Sequence, residues 1–172
     1  MFYEPEQSMI KIRPFAEENW AATWRIIEPV FRAGETYAFG PDITEEEAHK
    51  VWVEVPSATF TAADEANNVL GTYFIKPNQP ALGAHVCNCG YIVAENARSK
   101  GIGSEMCKHS QREAVSRGFR AMQYNLVVST NKVAVRLWKR HGFEVIGTLP
   151  KAFRHPQHGF VDAFVIYKQL VT

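Results

Sequence analysis

The chain carries little that would mark it for a membrane, for nucleic acid or for an oxidising compartment. No apolar run in its 172 residues approaches the roughly 20 that a membrane-spanning helix needs. Lysines and arginines number 19 against 18 aspartates and glutamates, so the formal charge of +1 sets up no global field for nucleic acid or an anionic bilayer. The three cysteines, Cys87, Cys89 and Cys107, cannot all pair, and the chain is not of the small cysteine-rich secreted type. The start Met1-Phe2-Tyr3-Glu4-Pro5-Glu6 has no basic region followed by an apolar one. These absences predict a cytoplasmic protein with reduced thiols. Repeats, low-complexity tracts and linkers are missing too, and 46% apolar content suits one domain over residues 1–172.

What is present is an alternation of strand and helix patterns. Met9–Phe15 alternates as a half-buried strand ended by Pro14, and Trp20, Trp24, Ile27 and Phe31 recur at helical spacing, predicting a helix near Glu18–Ala33 with Pro29 as an irregularity. An aromatic loop, Gly34–Asp42, precedes Thr44-Glu45-Glu46-Glu47, a capping-box pattern that opens a helix running to about Val53. Phe60–Ala63 and Val69–Ile75 read as a hairpin around Asp64–Asn68, followed by a Pro-containing loop at Lys76–Gly83 and a strand at His85–Val93. Then come a helix at Ile102–Arg117, a strand at Ala121–Val128 and a short helix at Lys132–Arg140. Strands at Glu144–Leu149 and Val161–Gln169, separated by a His-rich loop at Phe153–Gly159, close the chain. The order β-α-α-β-β-β-α-β-α-β-β predicts an α/β (α+β) fold: a mixed, mostly antiparallel central sheet with helices on both faces.

The segment Arg98-Ser99-Lys100-Gly101-Ile102-Gly103-Ser104 joins the strand ending at Val93 to an amphipathic helix. Glycines at a helix start let main-chain N–H groups approach an anion, and the helix adds free donors and the positive end of its dipole. A dinucleotide fingerprint would need a third glycine where Met106 stands, and a Walker loop would need Gly-Lys-Ser/Thr at its end. The pattern that remains, Arg-x-x-Gly-x-Gly after a strand, resembles the coenzyme A pyrophosphate loop of the GCN5-related N-acetyltransferase (GNAT) superfamily. Asn131-Lys132-Val133-Ala134-Val135-Arg136-Leu137-Trp138-Lys139-Arg140-His141-Gly142-Phe143 looks like the same superfamily's Asn-x-x-Ala-x-x-Leu-(Tyr)-x-x-x-Gly-Phe element. With the terminal strands, the two blocks extend the resemblance over most of the chain.

The resemblance implies the GNAT fold, in which the strands before and after the phosphate helix splay apart to admit pantetheine. It implies an acyltransferase with acetyl-CoA as cosubstrate and no metal, acting on a small-molecule amine, and it leaves room for a homodimer. Arg98, Lys100, Gly101, Ile102, Gly103 and Ser104 would hold phosphates, and Tyr91, Ile92, Val93, Asn131 and Trp138 would line the coenzyme. A strand N–H near Tyr91 or Ile92 is expected to stabilise the oxyanion. Trp138 departs from the pattern, because many relatives place there a tyrosine that protonates the coenzyme thiolate, and an indole N–H is no such acid. That work then falls to Ser129, Tyr124 or a water, or the thiolate leaves unprotonated.

Each assignment has a plainer reading beside it. Arg98 also suits a solvated arginine before a helix, and Asn131 suits an N-cap. His85, Cys87 and Cys89 look like metal ligands, but about 3.3 Å of rise per strand residue separates His85 from Cys89 too widely for one ion. Asn88 falls on the face opposite the cysteines, and Asn125 lies on the neighbouring strand; amides at strand centres need partners, internal or substrate. Both are candidate catalytic and acceptor-binding residues. By resemblance Glu35 is a candidate base, and Tyr37, Phe39 and His155 are candidate acceptor-pocket residues, with His158 and Asp162 nearby. The run His-Val-Cys-Asn-Cys-Gly-Tyr-Ile-Val is locally similar to fungal acetyltransferases of azetidine-2-carboxylate and related cyclic amino acids. The terminal hairpin resembles phosphinothricin-type acetyltransferases.

Overall fold

The computed structural model describes residues 10–171, so Met9 and the Met1–Glu6 start lie outside the described residues. Seven strands form one sheet: β1 Lys11–Pro14, β2 Ala58–Ala63, β3 Val69–Pro77, β4 Val86–Val93, β5 Ala121–Val128, β6 Glu144–His155 and β7 Gly159–Gln169, in the spatial order β1-β2-β3-β4-β5-β7-β6. All neighbours are antiparallel except β4 and β5, which run parallel. The helices are α1 Trp20–Ala33, α2 Glu45–His49, α3 Ile102–Ser116 and α4 Lys132–Arg140.

Apolar periodicity decides which side each helix covers. Trp24, Ile27 and Phe31 of α1 bury against Phe74 and Ile92 on one face of the sheet, joined by Trp52. Met106, Cys107 and Ala114 of α3 bury against Tyr73, Ile75, Cys87 and Cys89 on the other. The Thr44 capping box forms as its pattern implies, with Thr44 Oγ1 accepting from Glu47 N–H and Glu47 accepting from Thr44 N–H. From α2 the chain passes into a π-helical turn, Lys50–Glu54, which drops Trp52 fully into the core, where its indole N–H donates to Thr72 Oγ1 at 3.1 Å. Pro29 stays inside α1.

Two boundaries depart from the sequence reading. The Lys76–Gly83 loop begins later, because β3 continues through Pro77 and Asn78 N–H still donates to Val86 C=O at 2.8 Å. The His-rich loop at Phe153–Gly159 is mostly strand: after an irregularity between Leu149 and Phe153, pairing resumes at Phe153 with Val161 and runs to His155 with Gly159. Pro150 and the left-handed Lys151 (φ 51°) break the alternation, and an edge strand tolerates both.

Gly90 faces Phe74 across β3 and β4, and a Cβ there would lie 2.5 Å from the Phe74 ring. Gly90→Ala should therefore destabilise the fold by about 1–3 kcal/mol through overpacking. A thermal midpoint equal to that of the wild type would contradict this account.

Candidate active site

The start of α3 is built as an anion site. Gly101 occupies the N-cap position at φ 80°, and no side chain caps the helix. Glu105 N–H bonds back to Gly101 C=O, so the N–H groups of Ile102, Gly103 and Ser104 precede the first full turn and have no helical partner. Ser99 also has a positive φ, 63°, and Arg98 and Lys100 are exposed without an ion pair among the described residues. The two glycines do different work. Gly101 supplies a left-handed backbone in open space, whereas a Cβ on Gly103 would meet Leu137 at 3.2 Å, so Gly103 lets α4 approach α3. The Ser104 side chain turns to His141 Nε2 at 2.7 Å, a bond between the start of α3 and the end of α4 with no signature in the local sequence pattern.

Beside this loop the sheet opens. β4 and β5 pair only at Val86–Ala121 and Cys87–Met122, and then separate. Main-chain groups of β4 alternate between their two neighbours. Asn78 N–H bonds Val86 C=O, and Ala94 N–H bonds Leu70 C=O, so Asn88, Gly90 and Ile92 point their N–H and C=O groups at β3. Cys89, Tyr91 and Val93 point theirs into the opening. Tyr91, not Ile92, is therefore the residue that offers a main-chain N–H to the cleft. The Ile92 N–H lies on the β3 side, and its side chain packs with Trp52 and Phe74. Tyr37 Oη sits at this spot, accepting from Tyr91 N–H and donating to Tyr91 C=O, both at 2.8 Å.

A polar patch lies on the α1/α2 face of the opening. Asn88 stands directly across from Lys76 on β3, on the same face, and its amide makes no hydrogen bond among the described residues. Asn125 is exposed beside an irregularity between Tyr124 and Val127. Its Nδ2 donates to Asn78 Oδ1 at 2.6 Å, and its Oδ1 accepts from Gln123 at 3.0 Å. The Asn125 amide is thus partly used internally, while Asn88 is free. Lys76 and Asn78 hide from sequence reading because Pro77 and Pro80 suggest a loop; the alternation Phe74, Lys76, Asn78 is the signal that reveals them.

The remaining candidates separate into cleft and core. Trp138 is 7% exposed, packed on Tyr91 and Tyr124 with ring centroids 4.8 and 4.9 Å away, so it acts chiefly as core. Tyr124 is no acid for the cleft: its hydroxyl bonds Tyr91 Oη at 2.9 Å inside the core, and burial pushes its pKa well up. The half-buried Ser129 hydroxyl, at the end of β5, has no partner among the described residues. Asn131 caps α4 through Oδ1, which accepts from Ala134 N–H at 3.2 Å, and its Nδ2 has no partner among the described residues. Glu35 is half-buried with no bonded partner among the described residues, and Phe39 stacks on Tyr37 at 6.1 Å. His155 is 6% exposed and braces the hairpin turn, accepting from Gln157 N–H; His158 stacks on it, and Asp162 accepts from Lys151 N–H. Among the described residues no three His, Cys, Asp or Glu side chains gather as metal ligands.

A family model described as "Acetyltransferase (GNAT) family" matches residues 20–143, a span that holds both the uncapped α3 start and the opened strands. The chain belongs to the GNAT family. The N-acetyltransferase aca1 of Schizosaccharomyces pombe is 35% identical over 148 residues, which cover 77% of this chain and 71% of that protein. Among solved structures, a GCN5-related N-acetyltransferase from Kribbella flavida matches with a TM-score of 0.89 and 40% identity, over 96% of this chain and 99% of that one. A GNAT superfamily phosphinothricin acetyltransferase from Sinorhizobium meliloti, in complex with AcCoA, shares the fold with a TM-score of 0.82 at 17% identity, over 94% of this chain and 89% of that one. The protein is accordingly an acyltransferase, with the mixed sheet of the GNAT fold.

The histidine that ties α3 to α4 in this GNAT domain makes the fold sensitive to acid. Burial lowers the pKa of His141 below the ordinary 6.5, with Lys108, Lys168 and Arg140 adding to the effect. Burial does the same to His109, which pairs with Tyr73 Oη at 2.6 Å. A histidine held neutral in the fold takes up a proton on unfolding below its free pKa, so stability is lost as pH falls below about 6.5. The thermal midpoint should be lower at pH 5.5 than at pH 7.5, and His141→Gln should narrow the gap. An unchanged gap in the variant would remove His141 from this account.

Proposed function

We propose that this enzyme transfers acetyl from acetyl-CoA directly to the amine of a small carboxylate-bearing molecule, of which a cyclic amino acid or proline analogue is the best-fitting class. The observation that carries this reading is the cleft itself. A main-chain N–H at Tyr91 opens between the uncapped end of α3 on one side and a patch of Lys76, Asn88 and Asn125 on the other. Acetyl-CoA is the coenzyme in the S. meliloti neighbour and in yncA from Salmonella typhimurium, "with its cofactor Acetyl-CoA". The residues here suit it: free N–H groups, with Arg98 and Lys100, which have no ion pair among the described residues, for the diphosphate, and the parted strands for the pantetheine arm.

In this reading the neutral amine attacks the thioester carbon, forming the C–N bond, while the Tyr91 N–H faces the oxygen on which negative charge develops. The C–S bond then breaks. The ammonium proton leaves to water, directly or through Glu35, and the sulfur departs as thiolate or takes a proton from Ser129 or water, since thiols ionise near pH 8.5. No acyl-enzyme is required. Burial withholds all three thiols from an acyl group, and it also raises the pKa of Cys89 and pushes Cys107 up to about 11, away from thiolate character. Lys76 meets no carboxylate among the described residues, and its place beside Asn88 suits the acceptor's carboxylate.

Acetyl-CoA turnover, followed by thiol release against a panel of amines, tests the reading. Secondary and primary amino acids should be acetylated, and matched amines without a carboxylate should be poorer. Turnover confined to peptides would refute it, and tight coenzyme binding without any turnover would make the protein a coenzyme sensor.

Gly101→Ala forces an alanine to φ 80°, a strain of about 1–2 kcal/mol that is relieved by moving the loop. The acetyl-CoA dissociation constant should rise roughly tenfold; unchanged affinity would detach this loop from the coenzyme. Asn88→Ala should lower acetyl transfer roughly tenfold to a thousandfold, with acetyl-CoA affinity nearly intact. Asn125→Ala should cost less, because part of its amide is already bonded. If steady-state kinetics show both variants equal to the wild type, the amides do not hold the acceptor.

A further inference from the structure

Tyr37 Oη fills both hydrogen-bonding positions of the Tyr91 peptide edge, accepting from its N–H and donating to its C=O at 2.8 Å each. The parity of the β3–β4 ladder shows that this edge faces the opening towards β5, where no strand pairs beyond Cys87 and Met122. A main-chain pair left unsatisfied in such a place is costly, and a hydroxyl that both donates and accepts reproduces what an added amide would supply. Burial raises the Tyr37 pKa, so the hydroxyl keeps the proton that this double role needs. The ring is anchored by Phe31, Phe39 and Trp52, at centroid distances of 5.6, 6.1 and 5.7 Å, and belongs to the loop of residues 34–42 rather than to the sheet.

We infer that Tyr37 is a latch: in the coenzyme-free protein its hydroxyl holds the place of the acetyl-CoA thioester and pantetheine groups on Tyr91, and coenzyme binding expels it. This rests on the acetyl-CoA reading above. The latched state lowers apparent coenzyme affinity by the fraction of molecules that are unlatched.

Tyr37→Phe keeps the ring and removes only the hydroxyl. Calorimetry with acetyl-CoA should give a dissociation constant about tenfold lower than in the wild type. The Tyr91 amide hydrogen, slow to exchange in the free wild type, should exchange at least tenfold faster in the free variant. An unchanged or raised dissociation constant in a folded variant overturns the latch, and a raised one would make Tyr37 a coenzyme ligand instead. Should the variant fail to fold, the wild type decides: its Tyr37 ring-proton resonances must shift on saturation with acetyl-CoA, and unshifted resonances overturn the proposal. A wild type that binds no acetyl-CoA overturns the functional reading and the latch together; one that binds it while the variant gains nothing overturns the latch alone.

Discussion

The separation of β4 from β5 after two paired positions is the constraint on which the rest depends. A strand interior to a sheet normally gives its main-chain groups to both neighbours; here Cys89, Tyr91 and Val93 have a neighbour on one side only. Main-chain polar groups away from water must find partners, so the gap invites either a side chain or a ligand. A binding surface made of main chain has a further property: most single substitutions leave it intact. Selectivity must then come from the side chains around it, and the two faces of the sheet differ sharply in what they supply.

On the α3 face the gap is held open by aromatic volume. Tyr91, Tyr124, Trp138 and Phe143 form a continuous ring cluster beneath the opening; the hydroxyls of Tyr91 and Tyr124 bond one another, and that of Tyr91 also bonds Ser110. An irregularity interrupts the pairing of β5 with β7 after Tyr124, next to the opening. A tryptophan at position 138 therefore has a packing role large enough to account for its presence. The α1/α2 face is amide-rich at one end and aromatic at the other, where the half-buried Tyr37 and Phe39 pack over the buried Phe31 and Trp52. Reactants meeting there would leave most of their water behind, which strengthens every dipole aimed at them.

Much of this is legible in the sequence, and the rest is hidden for physical reasons. The Thr44 capping box, the strand Ala121–Val128 and the helix Lys132–Arg140 follow from local periodicity and caps, and the structure places them at those residues. The paired glycines mark the start of α3, but not why each is a glycine, because Leu137 reaches Gly103 from another element. Choosing between Tyr91 and Ile92 as the cleft donor needs the ladder's parity, which no run of residues encodes. Likewise, the extension of β3 through Pro77 and of β6 through Pro150 appears only once an antiparallel partner is in register, since proline locally argues against a strand. Tyr37 reads as a pocket residue by its place on an aromatic loop; its bond to a peptide 54 positions away is tertiary and has no local trace.

The three cysteines have a practical meaning at the bench. Cys87, Cys89 and Cys107 are free yet sealed in the core, at 0%, 7% and 0% exposure. A chromogenic thiol reagent added to the native protein meets only core sulfhydryls, so its colour reports chiefly liberated coenzyme. Once the fold opens, three equivalents appear together. The same reagent then becomes a clock for how often this core breathes.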